Sequence, residues 1–487
     1  MRSFEHRAVG DGATGGALVN VGGAPADQRF VLPFGDVVAL SGDYFSPVTD
    51  LFTLAAVPGE QGTRAGTRDE LVCALRVMSA DEAFVDRRFE PGGAFAHYRF
   101  SPRADRSDVE RRVRDRYLCL AATNDDHFVA PGHFVSPGRS DARTGSGSPS
   151  ALAAYRALHQ RALDEAWRLG RDGDDLSRAL AREAAAQHYL TDAFAAGHLR
   201  TPVADIRRYW QARYPEFWDR LQRKVAADTA NALREVSRLL RLVPRRSLHE
   251  RTRAELTSRT SSYPELSLGD LVARAFHDWD NGHGLQVEGG VLFGDGQVGE
   301  GLTMAMATAA VRAGVDDVEV AFGLGVAGRT GPGRRLYNEV RLATGAQGEA
   351  FGPEARVPRP LPTNRAQNWR AADVEGLWAA PIVGGSGPTV GDAITGMLHP
   401  DGEFIRQLAR LGEGLAGAHG LLAAPVLGPW LLGRCCQAYH RGFVAPLARD
   451  PEAAVRALVG GPHPPPARPE ERRVKYFTAQ VPGGICR

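Results

Sequence analysis

Apolar residues recur at three- and four-residue spacing through ALAAYRALHQRALDEAW, which begins at Ala151, and the rhythm continues to about Leu242. That spacing predicts a run of helices, with Ser150 as the N-cap of the first. The same rhythm predicts helices over Asp69–Ala80, Ser107–Ala122 and Gly301–Gly323, and shorter ones over Asp392–Met397, Phe404–Leu422 and Pro451–Leu458. LVARAFHDWDNGHGL, residues 271–285, reads as a helix closing at Asn281–Gly282, and 286–298 as a glycine-turned hairpin. The first fifty residues alternate Gly-rich turns with two short apolar segments. LPFGDVVALSGDYFS is the second, a helix or strand ending at an acidic turn. Residues 57–68 and 137–149 read as loops, and residues 326–367, rich in Gly, Pro and Arg without periodicity, as a linker or long irregular connection. There is no internal repeat. The expected fold class is mainly α.

Composition narrows the class. The chain has 487 residues, 43% hydrophobic and 24% charged, enough for a substantial core. A net charge of +2 provides no global field for nucleic acid or an acidic partner. Five cysteines without a CxxC pair fit neither a disulfide framework nor a thiolate zinc site. MRSFEHRAVGDGATGG lacks the apolar core of a signal peptide, and no stretch approaches the ~20 apolar residues of a membrane span. The expectation is a cytoplasmic protein, or one exported without a classical signal peptide.

Histidine and aspartate then change the picture. In EAAAQHYLTDAFAAGHLRTP, residues 183–202, His188 and Asp192 stand four apart and share a helix face. His198 follows just past Gly197, where a helix breaks cheaply. Similar groups occur at His6, at Asp43, at Asp126–His127 and from His277 to Asp280, each flanked by apolar sequence. Buried carboxylates and imidazoles are costly unless they converge on a cation, and this ligand set suits zinc or another divalent ion. His159 reads instead as a structural residue of its helix, and the arginines of 207–246 as a solvated face.

HYLTDAFAAGHLRTP resembles the motif of zinc-dependent bacterial phospholipases C that hydrolyse phosphatidylcholine. More distantly it resembles the superfamily of three-zinc phospholipases C and single-strand nucleases. In that superfamily one helix supplies His, Asp four later and His ten after the first, as do His188, Asp192 and His198. His127-Phe128 matches a preceding His-Phe ligand motif. Asp43, His6 and His277 with Asp280 match an early Asp, an N-terminal His and a later His with an acid. Three departures stand out. Ala196 replaces the nuclease proline, the interval from Asp43 to His127 is long, and Met1-Arg2-Ser3-Phe4 stands where secreted members have a processed N-terminal Trp ligand.

The resemblance implies a helical zinc-hydrolase core over residues 1–325 with an insertion at about 50–115, a linker-like segment at 326–370 and a C-terminal helical region at 371–487. It implies two or three zinc ions per chain. Asp43, His127, His188 and Asp192 would hold one, His198, His277 and Asp280 a second, and Asp192 with His6 a third. Asp126 or Asp278 would serve as general base and Arg200 as a phosphate contact. The expected activity is that of a phospholipase C acting on phosphatidylcholine-type lipid at a membrane surface, releasing diacylglycerol and a phosphorylated headgroup, with no nucleic-acid partner. A zinc-dependent single-strand nuclease or nucleotidase, and a non-catalytic interaction protein on the same scaffold, are the alternatives. Tyr189, Trp210 and Trp218 are candidate stacking platforms for bases, though their helical spacing reads as core. The apolar stretch Leu421–Leu432 reads as part of a buried helical region, with lipid docking as its alternative.

Overall fold

A computed structural model describes residues 1–21, 30–45, 68–86, 124–129, 150–236, 267–299, 301–328 and 352–361, with isolated positions elsewhere. The described residues are mainly helical. The elements are α1 (Ser3–Thr14), β1 (Leu18–Asn20), β2 (Val31–Pro33), α2 (Phe34–Leu40), α3 (Arg68–Asp86) and a 3-10 turn at Asp125–His127. There follow α4 (Ala151–Asp172), α5 (Ser177–Asp192), α6 (Ala196–Arg200), α7 (Val203–Arg213) and α8 (Phe217–Val236). α9 (Leu268–His283), β3 (Leu285–Val287), β4 (Gly290–Leu292) and α10 (Leu302–Val326) complete the series.

The helices of the central bundle form where the periodicity places them. In α4, Leu152, Tyr155, His159, Ala162, Leu163, Ala166 and Leu169 make one buried stripe. Ser150 caps its start by accepting the Ala153 N–H, and Gly173, at φ 76°, closes its end in the left-handed region. α5 is buried along almost its whole length, an Ala-rich rod between α4, α10 and the α1–α2 pair. Alanine at those contacts lets the neighbouring backbones approach closely. The core runs from α1 and α2 through α4 and α5 to the β3–β4 hairpin and α10. Truncating a fully buried aromatic such as Phe194 would cost about 3–5 kcal/mol.

α1 is a helix, although its glycines read as turns in the sequence. A Cβ on Gly10 would sit 2.8 Å from the Gly35 Cα, so glycine here permits the close crossing of α1 over α2. β1 and β2 pair antiparallel, Val19 opposite Leu32, and β3 and β4 likewise, Gln286 opposite Val291. The turn following β4 returns along α9. The described parts of the segment expected to be linker-like pack onto the body. Leu336 and Val340 are buried with α4 and α10, and Pro360 bridges to Val287. Apart from isolated positions, the expected helix at 107–122, the loops at 57–68 and 137–149, most of the proposed insertion and nearly all of 371–487, including Leu421–Leu432, lie outside the described residues. No described helix is long and apolar enough to cross a membrane.

Candidate metal centre

The last turn of α5 carries His188 and Asp192 into the core, and four other segments close around them. α1 brings His6, the turn after α2 brings Asp43, the 3-10 turn brings His127, and α6 brings His198. The break before α6 falls at Ala193–Ala195, ahead of Gly197. Gly197 lies within α6, where a Cβ would strike the His277 carbonyl of α9. Glycine at 197 thus seats α6 on α9, which places His198 beside His277. Gly42, at φ 81°, plays a similar part next to Asp43, since a Cβ there would run into the His188 imidazole.

The side chains fall into three contiguous groups whose ligand atoms lie within 4.8 Å of one another, and each group could hold a metal ion. They are His6, Asp43 and His188; His127, His188 and Asp192; and His198, His277 and Asp295. His188 belongs to two of them. Asp192 is the hub: Oδ1 lies 2.6 Å from the Met1 amino nitrogen, 3.2 Å from His198 Nδ1 and 3.4 Å from His6 Nε2. Its Oδ2 lies 2.7 Å from His127 Nδ1 and 3.5 Å from His188 Nε2.

The outward hydrogen bonds fix how the rings face. His188 Nδ1 donates to the Val38 carbonyl at 3.0 Å, and an amide carbonyl can only accept, so in the neutral ring Nε2 carries no proton; it faces the centre, 3.3 Å from His127 Nδ1. Thr191 Oγ1 spends its one hydrogen on the helix carbonyls of Gln187 and His188, so it must accept from His6 Nδ1, 2.6 Å away. In the neutral ring His6 Nε2 is then the nitrogen without a proton, and it lies 3.4 Å from Asp192 Oδ1. His198 Nδ1 lies 3.1 Å from the His127 carbonyl, and His277 Nδ1 donates to Asp278 at 2.9 Å. Asn281 accepts the Gly197 N–H through Oδ1, and its amide nitrogen lies 3.0 Å from His277 Nε2. His127 is turned the other way, with Nδ1 inward and Nε2 3.8 Å from Asp126. His6 and His188 have the arrangement of metal-ligating histidines, with one nitrogen inward and the other held by an acceptor behind it.

Three buried atoms, one in each group, make no well-aligned hydrogen bond: His6 Nε2, Asp192 Oδ2 and Asp295 Oδ1. Each faces a charged neighbour instead, Asp192 Oδ1 for His6 Nε2, His127 Nδ1 for Asp192 Oδ2 and the Met1 amino nitrogen for Asp295 Oδ1, and one cation per group would give each a stronger partner. The donor set, imidazole and carboxylate without thiolate, fits zinc.

Charge is distributed to match. Burial alone would raise the Asp192 carboxyl, but the Met1 ammonium, His198, His6 and His127 hold it well below the usual carboxylate range. Burial and His6 keep His188 well below the ordinary imidazole value, and burial with the Met1 ammonium lowers His198 to about 4. His127 and His277 are raised to about 9 against their burial, chiefly by Asp192 and Asp295 respectively. A cation would displace those two protons.

Asp280 and Arg200 are placed elsewhere. They form a buried fork-to-fork pair, with Nε 2.8 Å from Oδ2, so the Asp280 carboxylate faces the guanidinium rather than His277. The carboxylate beside His198 and His277 is Asp295, from the turn after β4. In the sequence, FGDGQ reads only as a turn, and an aspartate between two glycines was the available signal. Asp278 is half-exposed and lies behind His277, paired also with Arg274. Asp126 sits behind His127, and burial raises its carboxyl. Tyr189 and Trp210 are buried core residues rather than stacking platforms. Comparisons with protein-family models, curated proteins and solved structures find no match.

Proposed function

We propose that the chain is a zinc-dependent phosphodiester hydrolase, and specifically a phospholipase C acting on phosphatidylcholine-type lipid. The observation that carries the reading is the facing of the rings. His6 and His188 turn Nε2 into a buried centre, and behind each an obligate or committed acceptor holds Nδ1. A helix with incidental histidines has no reason to arrange both sides of the ring. Bound zinc supplies Lewis acidity, which polarises a phosphodiester and makes water nucleophilic near neutral pH.

The chain's own residues supply position and proton handling. Asp192 and His188 hold the three groups contiguous, so that both the attacked phosphorus and the departing oxygen lie within reach of one centre. Asp126 is partly exposed behind His127, and burial keeps its carboxyl nearer to neutral pH than an ordinary aspartate. It is the group best placed to carry a proton between the centre and bulk water. Water adds to phosphorus, the bond to the glycerol oxygen breaks, and that oxygen leaves with a proton as diacylglycerol. The choice of lipid over nucleic acid rests on the HYLTDAFAAGHLRTP motif.

Mass spectrometry of products from phosphatidylcholine vesicles, with and without chelator, tests the reading. Chelator-sensitive release of diacylglycerol and phosphocholine is expected. Phosphatidic acid with free choline, or cleavage of single-stranded DNA with no lipid turnover, would overturn it.

A further inference from the structure

The group containing His198 and His277 has no carboxylate from its own helix. On α9, one turn beyond His277, stand Asp280 and Asn281. Asp280 is committed to Arg200 in the buried fork, and the Asn281 oxygen is committed to the Gly197 N–H. The carboxylate comes from Asp295, whose Oδ2 lies 3.2 Å from His277 Nε2 and whose Oδ1 makes no hydrogen bond and lies 3.4 Å from the Met1 amino nitrogen.

Asp295 is also the only non-glycine position with positive φ among the described residues, at 37°. A side chain in that region costs about 1–2 kcal/mol, so the surrounding structure must hold it there. Glu5 on α1 does so. Its buried carboxylate accepts the Gly296 N–H at 2.8 Å and the Val298 N–H at 3.2 Å through Oε1, and the Arg2 N–H at 2.9 Å through Oε2. The two turn amides flank the strained residue on its C-terminal side. On the other side, Gly294 donates its N–H to the Asn281 carbonyl, and a Cβ there would strike the Asn281 side chain. The turn is therefore gripped by α9 behind Asp295 and by α1 ahead of it.

We infer that Asp295 is the carboxylate ligand of the His198–His277 ion, and that Glu5 is the positioning residue that holds it in a ligating conformation. The inference rests on the metal-binding part of the proposed function and specifies one of its sites. It also gives α1 two roles in one turn of helix: His6 faces one group directly, and its neighbour Glu5 shapes another through the backbone.

The test is zinc binding to the full chain, measured by competition with a chromophoric chelator, together with amide hydrogen exchange on the metal-free protein. Asp295→Asn should weaken one ion by at least about 10–100-fold and leave the others in place. Glu5→Ala should weaken the same ion, and the double variant should be no worse than Asp295→Asn alone, because both changes act on one ligand. Glu5→Gln keeps an acceptor for the Gly296 and Val298 amides and should stay close to wild type. In the metal-free protein, Glu5→Ala should speed exchange at those two amides, an effect that needs no ion. Unchanged stoichiometry in Asp295→Asn, with one ion lost in Asp280→Asn, would overturn the inference. So would independent, additive losses from Glu5→Ala and Asp295→Asn. If Glu5→Ala fails to fold, the Asp295→Asn and Asp280→Asn pair still decides the ligand. A chain that binds its ions as described and hydrolyses nothing would refute the proposed function and leave this inference standing.

Discussion

Two buried clusters lie along helix α5, built from the same residue types and arranged oppositely. Near its middle, Glu183 meets His159 of α4, with Nδ1 2.6 Å from Oε2, while Asp317 of α10 lies 3.5 Å from the other ring nitrogen. Each face of that imidazole has a carboxylate, and Gln187 closes the remaining Glu183 oxygen. At the end of the helix, His188 and Asp192 join a cluster in which His6 and His188 are held from behind and turn Nε2 towards the other ligand atoms. In the first cluster each ring nitrogen faces a carboxylate, so a proton balances it. The second could be completed by a cation. Titration follows the same division: burial disfavours the His159 cation, but Glu183 and Asp317 outweigh it and raise the group to about 10. In the other cluster the rings are split, two raised and two lowered. The presence of histidine and acid on one helix therefore does not distinguish a ligand set from an ion pair. What distinguishes them is which side of each ring is already occupied.

The largest expected difference between the clusters is in function. Asp192→Asn should cost more than about 100-fold in zinc affinity and remove turnover, because it neutralises the hub of the groups. His159→Ala should leave the zinc content unchanged and lower stability by about 3–5 kcal/mol, since two buried acids lose their cation. Elemental analysis and chemical denaturation of the two variants would show this crossed pattern, and its absence would break the comparison.

A smaller effect follows from the acceptors behind the rings. Thr191→Val keeps the shape of the side chain but removes the partner of His6 Nδ1. Affinity for one ion should fall by about 10–100-fold while the melting temperature hardly moves. A further effect is on pH. The folded value of His159 lies above its ordinary 6.5, so its stabilisation is full below about 6.5 and is lost as pH rises through about 10. Stability should decline across that window in the wild type. The decline should be flatter in His159→Met, and equal slopes would show that the triad does not hold its proton as described.

The sequence was legible where periodicity and punctuation agreed. Ser150 and the stripe of α4, the hairpin after α9 and the start of α10 could be read directly, because caps and spacing are local properties. α1 could not, because Gly10 and Gly12 resemble turn residues and the purpose of Gly10, close approach to α2, is a tertiary fact. The candidate site divides in the same way. His188, Asp192 and His198 announce themselves by spacing. Asp280 satisfied the expected spacing from His277, yet its partner is Arg200, eighty residues earlier, and no local pattern encodes that choice. Asp295 and Glu5 are joined only through the folded turn. Thr191 and the Val38 carbonyl orient rings without any motif to mark them.

The metal content of the purified full chain tests the central contrast most directly. After exchange into buffer with free zinc and removal of the excess, elemental analysis should find two or three zinc ions per chain, stripped by chelator and restored on readdition. The same stoichiometry should persist in His159→Ala and fall in Asp192→Asn. A wild-type chain that retains no zinc under those conditions would mean that both clusters on α5 are closed by protons alone, which would contradict the proposed distinction between them.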